Sequence, residues 1–166
     1  FESNPILARL IDWGPTNHPI EANPDWKTAE GAAKFLKQDH DKPFFLGCGI
    51  YLPHLPWYTP KQFFDLHPLK DTLLPPHKPD DFDDIPATGK RMGERHIKHL
   101  RESGKWKEAV QACLAADSFA DACVGHVLDA LKKSPHKDNT IVVLWGDHGY
   151  DVGEKKFAKS ALWEQT

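Results

Sequence analysis

The sequence predicts an α/β protein, part of an open, doubly wound sheet with flanking helices. Three observations carry this. Residues 43 to 52 and 139 to 145 are continuous apolar runs of strand length, the pattern of strands buried on both faces of a parallel sheet. Residues 25 to 38 and 105 to 132 hold helical stripes, and helices alternating with such strands are the signature of this class. The strands are also too few, because a doubly wound sheet has about five or more. The 166 residues therefore read as an interior piece of a larger sheet whose edge stays open.

Composition sets the bounds. Fourteen prolines add long irregular stretches. The chain starts at Phe1 with no Met or leader pattern, so an N-terminus processed or incomplete is expected. No run approaches the roughly 18 apolar residues of a membrane span, and a net charge of -3 lacks the basic footprint of a nucleic-acid binder. Neither a membrane nor a nucleic acid is expected as partner. Cys48, Cys113 and Cys123 match neither a disulfide framework nor a zinc ribbon and read as buried free thiols.

In chain order, residues 1 to 24, with Pro5, Pro15, Pro19 and Pro24, read as an irregular surface segment. Asp25 then caps a helix to about Gln38, with Ala29, Ala32, Ala33 and Leu36 on its buried face. The first strand follows from Pro43, completing a helix-strand unit over residues 1 to 57. Pro53 and Pro56 stop its ladder and present His54 at the end of the strand. Taken alone, a surface His in a proline turn is the simpler reading. Residues 58 to 104 form a proline-rich insertion with a short helix over Lys61 to Leu66. The acids Asp80, Asp81, Asp83 and Asp84 lack EF-hand spacing and its glycine and read as a solvated loop. His96 and His99, three apart on a possible helix, lack a carboxylate or Cys partner at metal-site spacing and read as surface positions. The last unit, 105 to 166, holds a long helix to Lys132, striped by Ala109, Cys113, Ala116, Ala120, Val124, Val127 and Leu131, then the central strand.

That central strand ends in Gly146, Asp147, His148 and Gly149. Ligands of open α/β sheets bind at such carboxyl edges, and a carboxylate beside an imidazole makes a candidate half of a metal site. A capped turn with an exposed His is the alternative. Gly153 and Glu154 open a further loop holding Lys155, Lys156 and Lys159, any of which could neutralise an anionic substrate oxygen or merely be solvated.

The stretch GDHGYDVGEKKFAKSALWE, residues 146 to 164, resembles the second metal-binding motif of the type I sulfatases, of the alkaline-phosphatase-like superfamily. PFFLGCGIYLPHLPW, residues 43 to 57, is similar to their strand followed by a Pro-His pair, and SFADACVGHVLDAL, residues 118 to 131, resembles the helix before the metal strand. The His of Asp-His-Gly points to the branch containing iduronate-2-sulfatase. The resemblance implies a sulfuric ester hydrolase in which Asp147 and His148 ligate calcium while His54 and Lys159 contact sulfate. Leu52 stands where the family pattern has Lys. The family's nucleophile is a formylglycine made from the Cys of Cys-x-Pro-x-Arg. None of the three cysteines is followed by x-Pro-x-Arg, nor is any Ser. No catalytic residue is therefore assigned within the chain, and the nucleophile is expected in another sulfatase segment needed to complete the fold. A sulfated sugar or small sulfate ester is the implied substrate, and a secreted, periplasmic or lysosomal location is implied by the family alone. The alternatives are a phosphoester or phosphonate-ester hydrolase of the same superfamily, and a non-catalytic anion-binding module.

Overall fold

The computed structural model describes residues 11–154 and 157–160, with the side chains of 88, 89, 91–96 and 157–160 outside that description. Lys155 and Lys156 also lie outside the described residues.

The described part of the segment expected to be irregular contains a strand. β1 (Trp13–Thr16) pairs in parallel with β2 (Trp57–Pro60), Trp13 opposite Trp57 and Thr16 opposite Pro60. Four-residue strands containing Pro15 and Pro60 carry too little apolar alternation to stand out in the sequence, and proline is tolerated where a two-stranded sheet is all edge. A 3-10 turn, Ile20–Ala22, leads into α1 (Pro24–Leu36). Its cap is Asn23 rather than the expected Asp25. The Asn23 side chain accepts a hydrogen bond from the Asp25 amide at 2.9 Å, and Pro24 takes the first helical position, where its missing N–H costs nothing. The insertion supplies α2 (Lys61–Asp65), as expected, and α3 (Ala87–Glu102), which carries His96 and His99. α4 (Trp106–Lys132) is one unbroken helix. No helix among the described residues is long and apolar enough to cross a membrane.

The core lies between α1, α4, α2 and β2. Ala29 and Ala33 of α1 and Ala109, Ala112, Ala115 and Ala116 of α4 are fully buried. Such small side chains let neighbouring backbones approach closely. The larger volume is filled by Trp57, Phe63, Phe64, Leu100 and Phe119, with Phe63 and Phe119 edge to face at 5.1 Å between ring centroids. Burial of Phe119 alone contributes about 2–3 kcal/mol.

The two runs expected as buried strands differ from expectation. Residues 43–50 and 140–145 form neither a helix nor a ladder among the described residues. Phe45 is 95% exposed, and Ile141, Val142, Val143, Leu144 and Trp145 are all open to solvent. Among the described residues, the two runs do not pair with each other. The physical reason is that a doubly buried strand needs a neighbour on each side, and no described segment supplies one. Cys113 and Cys123 are buried as expected, whereas Cys48, within the first of these runs, is exposed.

Beyond the second run, the expected loop is instead a hairpin. β3 (Gly149–Val152) pairs antiparallel with β4 (Phe157–Ser160), which places Lys159 in a strand opposite Tyr150. Its turn starts at Gly153, whose φ of +122° favours glycine. The Trp106 ring occupies the space a Cβ at Gly153 would need. Trp106 Nε1 donates to the Val152 carbonyl at 2.7 Å, and Arg101 Nη2 donates to the Gly153 carbonyl at 3.2 Å. The guanidinium sits 4.8 Å over the Trp106 ring, so the α3–α4 corner clamps the hairpin.

Candidate functional site

His54 sits in a loop tied down at several points. Asp25, only 6% exposed, accepts the Tyr51 amide at 3.0 Å and the Leu52 amide at 2.8 Å, one on each carboxylate oxygen. A buried carboxylate is tolerated when fixed N–H donors replace its water. The His54 amide closes the turn onto the Tyr51 carbonyl at 3.0 Å, and Trp57 Nε1 donates to the Pro53 carbonyl at 2.6 Å. The imidazole stacks on Tyr51 with centroids 4.5 Å apart. Its Nδ1 lies 2.6 Å from the Leu55 carbonyl and 2.7 Å from the Tyr51 hydroxyl, which itself donates to the same carbonyl at 3.1 Å. A carbonyl only accepts, so Nδ1 carries the proton.

Asp147 and His148 occupy the turn after the second run. The His148 amide donates to Asp147 Oδ1 at 3.0 Å. His148 Nδ1 lies 2.8 Å from the Gly149 carbonyl, and Nε2 lies 3.6 Å from Asp147 Oδ2. With Nδ1–H committed to a carbonyl, Nε2 presents its lone pair beside the carboxylate, the usual way an outer hydrogen bond fixes a metal-binding imidazole. One nitrogen and one carboxylate are a suitable part of a cation's donor set, but calcium takes six to eight oxygens. Among the described residues, no three His, Cys, Asp or Glu side chains cluster to hold a metal. A cation held here would take its other donors from outside this pair.

One aromatic contact links the two segments. Trp57, which holds the Pro53 carbonyl, packs edge to face on Tyr150 with centroids 5.3 Å apart. Tyr150 lies two residues beyond His148 and opposite Lys159 in the hairpin register. Burial pushes the Tyr150 phenol well above its ordinary pKa, so it stays neutral. The contact joins β2, which begins three residues after His54, to the strand that begins one residue after His148 and pairs with the strand of Lys159.

The Sulfatase family model matches residues 8–166. The chain belongs to the sulfatase family. With it comes the alkaline-phosphatase-like fold, of which the helices and the small parallel sheet described above are a part. The chain is 44% identical over 160 residues to a sulfatase from Formosa agariphila, covering 93% of this chain and 32% of that protein. It is 34% identical over 146 residues to iduronate 2-sulfatase from Mus musculus, covering 79% of this chain and 26% of the relative. A multifunctional alkaline phosphatase superfamily protein from Trinickia caryophylli is 23% identical over 155 residues, covering 84% of this chain and 30% of that protein. The chain therefore spans about a quarter to a third of the length of these relatives.

One departure from the sulfatase pattern gains a physical account. Leu52, at the position of the pattern's Lys, is 7% exposed and belongs to the core cluster, so it offers the site no cation. Sequence reasoning treated Asp25 as a cap and passed over Tyr51. Both serve the His54 loop, and the signal that could have exposed Asp25 was Asn23, a stronger cap candidate two residues earlier.

Proposed function

We propose that the protein containing this chain hydrolyses sulfate esters, with His54 and Lys159 orienting the sulfate group and Asp147 and His148 holding a calcium ion beside it. The observation that supports this reading is the Trp57–Tyr150 contact, which joins the strand after His54 to the strand that follows His148 and pairs with that of Lys159, in a chain of the sulfatase family. Cleaving the ester shifts negative charge toward the departing oxygen. Donors and cations fixed before the reaction lower that barrier without having to reorganise. A bound calcium ion would supply positive charge against the sulfuryl oxygens. The His54 ring, anchored through Nδ1, turns Nε2 toward a substrate oxygen, while the Lys159 ammonium neutralises another. The nucleophile is a formylglycine from a Cys-x-Pro-x-Arg segment outside these residues, and further sulfatase segments pair with the two apolar runs to complete the sheet. The substrate class is a sulfated sugar or small sulfate ester, and the place of action is secreted, periplasmic or lysosomal.

The test uses the full-length protein with 4-nitrophenyl sulfate and 4-nitrophenyl phosphate. The expected result is sulfate release that is lost on chelation, restored by calcium, and abolished by Asp147→Ala. A second reading, a phosphoester or phosphonate-ester hydrolase, is favoured by the likeness to the Trinickia caryophylli protein. Preferred turnover of the phosphate ester, supported by zinc and independent of formylglycine, would select it. Binding of sulfated glycan without turnover, unchanged by replacing Asp147 and His148 with Ala, would select a non-catalytic anion-binding module.

A further inference from the structure

We infer that Tyr51 is the positioning residue of His54, setting the tautomer and the rotation of its imidazole; the inference rests on the reading of His54 as a sulfate contact. Tyr51 is 59% exposed, and a tyrosine so exposed ordinarily samples several rotamers. This one is held at both ends. Its amide is fixed by Asp25 Oδ1 at 3.0 Å, and its hydroxyl bridges His54 Nδ1 at 2.7 Å and the Leu55 carbonyl at 3.1 Å. Its ring lies against the imidazole, tilted by 31° with centroids 4.5 Å apart.

The hydrogen-bond logic gives the phenol a specific task. The Leu55 carbonyl has only lone pairs to offer, so the Nδ1 proton points to it, and the Tyr51 oxygen accepts from the same proton while donating its own to the carbonyl. The three groups close a small ring that accepts one orientation of the imidazole. A rotation about the Cβ–Cγ bond would replace Nδ1 by a carbon and break both contacts. Nδ1 is thereby committed, so the proposed sulfate contact falls to Nε2. Without the phenol, the imidazole loses one of the two groups that hold Nδ1. Small misplacements of a contacting group cost large factors in rate, and loss of the partner that orients a functional His costs about 10- to 100-fold.

The test is made on the full-length protein, selectively labelled with nitrogen-15 histidine. In the unaltered protein, the neutral His54 ring is expected to show a protonated Nδ1 and an unprotonated Nε2; the opposite tautomer would overturn the inference without any variant being made. Tyr51→Phe keeps the ring stack and removes the hydroxyl. It is expected to leave the melting temperature within a degree or two, to move the His54 Nδ1 resonance, and to lower kcat/KM for a sulfate ester about tenfold, with the loss in kcat. His54→Ala is the control. Impaired His54→Ala beside wild-type kinetics for Tyr51→Phe overturns the positioning role alone. Full activity of His54→Ala overturns the sulfate-contact reading, and this inference with it.

Discussion

At the scale of single residues, Asp25 shows how one carboxylate ties the start of a helix to a loop 26 residues later. Its two oxygens each take one backbone amide, so Asp25→Asn, which keeps the shape but turns an NH2 toward one amide, leaves one of them unsatisfied. The expected cost is about 1–3 kcal/mol, read from denaturant unfolding of the full-length protein, with the Tyr51 or Leu52 amide exchanging faster than in wild type. Unchanged exchange at both amides would show that the loop does not depend on this carboxylate. Cys123 gives a second prediction. Burial, with Asp25 and Cys48 adding negative charge nearby, pushes its thiol up to about 12. At pH 8 roughly one molecule in ten thousand would carry the thiolate, so alkylation should run about a thousandfold slower than for an unfolded cysteine. The sign for stability follows from the raised value. The neutral thiol's contribution is complete below its ordinary pKa, near 9, and is lost as pH rises toward about 12.

At the scale of elements, α1, α2 and α4 were legible, whereas the full extent of α3 and the strands were not. α1 and α4 show their stripes because Ala29, Ala33, Ala109 and Ala116 bury one face against each other's helix and neighbouring elements, a local period that needs no knowledge of distant contacts. The four-residue strands β1 to β4 carry no such period, and residues 43–50 and 140–145 show the reverse error, strand-like in sequence yet without a ladder. Periodicity reports what a segment can bury, whereas pairing depends on which neighbour is present. The site followed the same division: Asp147, His148 and His54 stood at readable run ends, but Tyr51 and Asp25 act through contacts that no spacing announces. The hairpin turn offers the element-scale prediction. Gly153→Ala must abandon φ +122° and displace Trp106, expected to cost about 1–3 kcal/mol and to weaken the pairing that places Lys159 opposite Tyr150. Gly31, exposed within α1 with open space around it, is the contrast: Gly31→Ala should stabilise by about 0.5–1 kcal/mol. Melting temperatures shifted in opposite directions are the expected readout, and a neutral Gly153→Ala would remove the clamp from the account.

At the scale of the whole molecule, the open apolar surface of the two runs is the strongest demand the structure makes. Ile141 to Trp145 and Phe45 together expose six large side chains, and an apolar surface of this size with no ladder among the described residues invites further strands. If other sulfatase segments complete the sheet, this surface becomes the interior of the full-length protein. The amides of residues 141–144 should then exchange as slowly as those of the α4 core. Val143, 70% exposed among the described residues, should behave as a core position. Val143→Lys would bury an unpaired ammonium between sheet and helices, expected to cost more than about 3 kcal/mol, whereas the same change on a surface costs about 0.5 kcal/mol or less. Asp147 and His148 follow this run after Gly146, so a sheet closed around residues 140–145 also fixes the origin of the turn proposed to hold the metal. Loss of calcium-dependent activity in Val143→Lys should therefore track its loss of stability. Rapid exchange at 141–144 together with a neutral Val143→Lys would mean that the run stays uncovered, and the completed sheet would have to be given up.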